Sequence, residues 1–105
     1  METITLTGDV DALAAMDLKV RLLEVTDAVR PSVRVDLSDV DRIHLAAVSA
    51  LIAAARHAER RRGQLHVVLP TRRAARREFE LADWFGVARA GESEDDTPPG
   101  GILQT

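Results

Sequence analysis

Residues 33–69 read VRVDLSDVDRIHLAAVSALIAAARHAERRRGQLHVVL, and the change of period inside this stretch decides the fold. Val33, Val35 and Leu37 alternate with polar residues, the two-residue period of a strand with unlike faces. Ser38, Asp39 and Asp41 supply turn chemistry before Ile43 resumes an apolar position. From Leu45 the period lengthens, with Val48, Leu51, Ile52 and Ala55 at helical spacing. The helix runs out in Arg60, Arg61, Arg62 and Gly63, where cations complement the negative end of the dipole and glycine tolerates a left-handed cap. Leu65, Val67, Val68 and Leu69 follow as a nearly continuous apolar strand, which predicts burial on both faces as in a parallel sheet. Pro70 and Thr71 end it.

Working outward, Thr3 to Thr7 alternate apolar and polar with β-branched enrichment, and Gly8 and Asp9 close this first strand. Asp11 is placed to cap a helix over 12–29, in which Leu13, Met16, Val20 and Leu23 recur at three- and four-residue spacing as one apolar face. Pro31 marks where that helix can no longer continue. Thr71 is a candidate N-cap for a last helix in which Ala75, Phe79 and Ala82 share a face, leading into Trp84 and Phe85. Beyond Gly86 periodicity is lost. Glu92, Glu94, Asp95, Asp96, Pro98, Pro99 and Gly100 predict a mobile acidic tail over 89–105, behind a single domain over 1–88. The alternation of strand and helix predicts an α/β fold with crossover helices and a largely parallel sheet.

Composition sets the outer limits. A chain of 105 residues holds one domain, and 46% hydrophobic with 30% charged residues is enough for a core without metal or disulfide support. With no cysteine there is no disulfide, zinc-thiolate site or thiol nucleophile. No stretch approaches the ~20 apolar residues of a membrane span, and the first residues lack a signal-peptide pattern, so the expectation is a soluble, cytoplasmic protein. Residues 1–50 carry nine acids against five bases, and 51–90 four against nine. Mixed charge of this kind suits a protein partner better than a phosphate backbone.

Three features in order resemble the STAS fold of anti-sigma-factor antagonists. Gly8-Asp9-Val10-Asp11 is similar to that family's Gly-Glu-Leu-Asp between the first strand and first helix. Val35-Asp36-Leu37-Ser38 with Val40 and Ile43 resembles the strand leading to its regulatory site. The third feature is the helix Leu45 to Arg62 followed by Gly63, the strand Gln64 to Leu69 and Pro70. In the family that helix opens with Asp-Ser-Ser/Thr-Gly, whose first Ser is phosphorylated by a partner anti-sigma kinase. The unmodified form binds the kinase and frees the sigma factor. Here His44, Leu45, Ala46 and Ala47 occupy those four positions. Neither Leu45 nor Ala46 has a hydroxyl, so the family's switch, about two negative charges appearing at an interface, is chemically excluded there.

The resemblance implies a non-catalytic protein-binding domain whose partner is an anti-sigma factor or kinase-like regulator, engaged through His44, Leu45, Ala46, Ala47 and Ser49. Ser49, one turn after Leu45 and the helix's one hydroxyl, is a candidate displaced phosphosite. The alternative is a STAS subunit of a transporter or other multiprotein assembly, and a homodimer is compatible with either. The residues themselves supply no nucleophile beside a base, no glycine-rich phosphate loop and no paired acids, so no catalytic residue or cofactor is expected. His44, His57 and His66 lack metal-ligand spacing, and Asp36, Asp39 and Asp41 are explained as turn residues. The arginines at 60–62, 72, 73, 76 and 77 read as helix-end and solvated-face residues; with few aromatics beside them, nucleic acid is not an expected partner.

Overall fold

The computed structural model describes residues 1–81 and, for the backbone, 102–104. Its elements run β1 (Glu2–Val10), α1 (Ala12–Thr26), β2 (Ser32–Ile43), α2 (Leu45–Arg60), β3 (Gln64–Val68), α3 (Arg73–Leu81) and β4 (Ile102–Gln104). The strands form one sheet in the order β1-β2-β3-β4, and every described pairing is parallel. This is the expected α/β domain, with each pair of neighbouring strands joined through a helix.

The core lies between the sheet and α1 and α2, which pack against each other. Val33, Val35 and Leu37 of β2, Leu65 and Val67 of β3, and Leu51 and Ala55 of α2 are inaccessible or nearly so. Along β2 the intervening Arg34, Asp36 and Ser38 are half-buried, as the two-residue period requires. β3 departs from its expected burial on both faces: Leu65, Val67 and Leu69 are buried, while His66 and Val68 are half-buried on the other side of the sheet.

The expected turn at Ser38, Asp39 and Asp41 is absent, because β2 continues to Ile43 and absorbs its extra residues as irregularities. The register with β1 shifts between Thr5 and Thr7 and again between Gly8 and Asp9, and β1 extends through Gly8, which takes φ +71, to Val10. Asp36 holds the first irregularity by accepting from the Ser38 N–H at 2.9 Å and the Ser38 Oγ–H at 2.7 Å. Those two donors hold the Asp36 carboxyl below its ordinary pKa.

Asp11 caps α1 as expected, accepting from the Ala14 N–H at 2.9 Å. The helix stops at Thr26, whose hydroxyl donates to the Leu22 carbonyl, short of the expected 29. α2 ends in a tight cap: the Arg62 N–H donates to the Glu59 carbonyl and the Gly63 N–H to the Ala58 carbonyl, both at 2.8 Å. The left-handed residue of this cap is Arg62 (φ 61), not Gly63. Gly63 is required for another reason, since a Cβ there would stand 2.1 Å from the Pro31 carbonyl oxygen.

Thr71 does not cap the last helix. Its hydroxyl donates to the Ser38 carbonyl at 3.2 Å, tying the loop after β3 to β2, and α3 begins two residues later. Ala75 and Phe79 face the core as expected; Ala82, Trp84 and Phe85 lie outside the described residues. Of the tail expected to be mobile, 89–101 and Thr105 also lie outside them, whereas Ile102–Gln104 form a strand beside β3.

Candidate partner-binding surface

Two helix starts meet at the carboxyl ends of β1 and β2. The His44 N–H donates to the Val10 carbonyl at 2.7 Å, which sets the opening of α2 beside the opening of α1. His44 is also the N-cap of α2, its Nδ1 accepting from the Ala46 N–H at 3.0 Å. An imidazole nitrogen accepts only through a lone pair, so this bond requires Nδ1 unprotonated, which suits the positive end of a helix dipole. His44 and Leu45 line an open cleft of about 640 Å³ with Asp9, Asp11, Arg42 and Arg77.

Four of the five candidate contact residues face solvent here: His44, Leu45, Ala46 and Ser49 are exposed, Leu45 by 45%. Ala47 does not. It is fully buried in the core, because the 100° turn per residue brings it round to the side shared with Val48 and Leu51, so no partner can touch it. The Ser49 hydroxyl stands on the exposed side with Leu45.

The largest departure from the sequence reading is on α1. Its periodic apolar face, Leu13, Met16, Val20 and Leu23, is turned to solvent, with exposures of 73%, 66%, 57% and 50%. The core is met by Ala15, Leu18, Leu22 and Thr26 instead. Leu23 shares a surface depression with Asp27 of the α1 cap and His57 of α2, so the exposed stripe borders the α2 side of α1. Four large apolar side chains in one line over three turns amount to a patch, not scattered exposure. Both stripes of α1 are apolar, and only the presence of two competing stripes in one helix could have signalled that one was left over.

His57 Nε2 lies 3.9 Å from Asp27, which also pairs with Arg61 at 2.8 Å, while His66 is on β3 beside Arg34. Among the described residues no three His, Asp or Glu side chains converge to hold a metal ion. Arg72 pairs with Asp41 at 3.2 Å. No described helix is long and apolar enough to cross a membrane.

A family model described as "Mlab, STAS domain" matches residues 2–88. None of the curated proteins searched matches the chain. The match spans every element from the first strand to the third helix, including the two helix starts that meet at His44, and on this ground the chain belongs to the STAS domain family.

Proposed function

We propose that this protein is a non-catalytic binding module, an anti-sigma-factor-antagonist-like regulator that docks an anti-sigma factor or kinase-like protein on the start of α2 and the adjoining face of α1. The observation that carries the reading is the exposed apolar stripe Leu13, Met16, Val20 and Leu23 on α1, in a domain whose α2 also opens on an exposed Leu45. An apolar strip bordered by Asp17, Lys19 and Glu24 has the make-up of a protein interface, an apolar centre with a charged rim. With Leu45 where the family has its phosphoacceptor, binding is constitutive or set by abundance. Ser49 is the one hydroxyl on α2 available for charge control.

Affinity purification of the full chain from its native host, with mass spectrometry, tests this. The expected result is an anti-sigma or kinase-like ATPase regulator recovered by the wild type and lost with Leu45→Asp or Met16→Glu. Recovery of neither class, or a regulator indifferent to both variants, contradicts it.

The matching family's description does not name an anti-sigma antagonist, and this keeps a second reading beside the first: a STAS subunit of a transporter or other multiprotein assembly. Both readings use the same surface, and the identity of the recovered protein separates them. Phosphorylation of Ser49 is tested by intact mass after incubation with the recovered kinase; an unchanged mass removes Ser49 from the account.

A further inference from the structure

β1 is the first strand of the sheet, and no described residue pairs with its outer edge. An edge of nine residues with free backbone donors and acceptors is a template for another strand, and soluble proteins blunt such edges with charge, proline or cover. Between Thr3 and Thr7 this one carries no charge and no proline, and no described strand pairs with it on that side. From the geometry of this edge we infer that β1 pairs antiparallel with β1 of a second copy, joining the two sheets about a two-fold axis at Thr5.

The strand is self-complementary in that arrangement. Thr3-Ile4-Thr5-Leu6-Thr7 reads the same by class in both directions, so a two-fold at Thr5 sets Thr5 against Thr5, Thr3 against Thr7 and Ile4 against Leu6. Threonine pairs and aliphatic pairs are both favourable across antiparallel strands, and no like charges face each other in this register.

The helix above the edge fits the same axis. An open groove of about 400 Å³ runs between β1 and α1, walled on the strand side by Ile4 and Leu6 and on the helix side by Ala14, Asp17 and Arg21. α1 lies over both β1 and β2. With strands about 4.8 Å apart, the two-fold brings the two α1 helices to roughly 10 Å, the distance at which helices pack. The helices then run antiparallel, which brings Asp17 and Arg21 of one copy to the same seam as Asp17 and Arg21 of the other. Neither residue forms an ion pair among the described residues of one copy. A foreign strand could fill the edge, but only a second copy supplies both the matched strand and the reciprocal charges. Leu23, at the far end of the apolar stripe, lies on the α2 side of α1, away from this seam.

The chain has no cysteine, so a single introduced one reports unambiguously. Thr5→Cys, at an exposed position, is expected to cross-link under mild oxidation as a symmetric disulfide, while Ser49→Cys on α2 is not. Sedimentation of the unmodified chain is expected to show a species of twice 11.5 kDa that Thr5→Lys dissociates at least tenfold more readily. Asp17→Arg alone should weaken it, and Asp17→Arg with Arg21→Asp should restore it. A chain monomeric at 100 μM (roughly 100-fold above a micromolar Kd) overturns the proposal. So does a dimer indifferent to Thr5→Lys, equal cross-linking at the two cysteines, or a monomer whose β1 amides resist exchange because another strand covers them.

Discussion

Arg62 and Gly63 divide between them a task that one glycine usually performs. Arg62 holds the left-handed conformation that closes α2, which costs a side chain roughly 1–2 kcal/mol, and Gly63 allows the contact with Pro31. Arg62→Gly is therefore expected to stabilise the protein by about 1 kcal/mol in urea denaturation. Gly63→Ala should cost roughly 1–3 kcal/mol, because its methyl group meets a backbone carbonyl that cannot rotate away. The reverse order would refute this reading of the cap. Asp36 makes a separate, pH-dependent statement. Its folded pKa is depressed, mainly by the Ser38 hydroxyl and N–H, so its contribution is present above the unfolded pKa of about 3.9 and is lost as pH falls through the folded value. Ser38→Ala should flatten the stability–pH curve on that acid limb and leave its shape above about pH 5 unchanged.

At the scale of elements, α1 shows what a period can and cannot reveal. Leu13, Met16, Val20 and Leu23 form one apolar stripe, and Ala15, Leu18 and Leu22 form another. Periodicity established the helix, but a helix with two apolar flanks does not announce which one meets the sheet. Leu18→Ala is expected to cost about 2–5 kcal/mol, as a buried truncation does, whereas Met16→Ala should change stability by less than about 0.5 kcal/mol. Parallel urea curves for the two variants check the assignment, and comparable losses would place Met16 in the core. The end of β2 escaped the sequence reading for a related reason. Ser38, Asp39 and Asp41 have turn chemistry, and they use it to bulge a strand that pairing with β1 keeps extended. β4 escaped it because three residues are too short for any period to register.

For the whole molecule, the alternation of strands and helices was readable because each buried run is long and its period unambiguous, as in Val33 to Leu37 and Val48 to Ala55. The site was readable only in part. The helix start at His44 was indicated by a change of period together with a family resemblance, and three of its neighbours, Leu45, Ala46 and Ser49, do reach solvent. Ala47 aligns with the last position of the family's four-residue motif, but helical rotation turns it into the core. The α1 stripe was visible as residues but not as surface, since exposure belongs to the assembled fold. The β1 edge depends likewise on strand order, which no single segment encodes.

We thus propose the β1 edge for a second copy and the apolar face of α1 for a different protein. Capture by the wild-type chain and by Leu45→Asp, compared in one experiment from the native host, is the decisive measurement for the proposed docking surface. The regulator recovered by the wild type is expected to fall at least tenfold with Leu45→Asp while the urea midpoint of the variant stays within error of the wild type, as expected for an exposed position. Undiminished recovery would contradict the proposal.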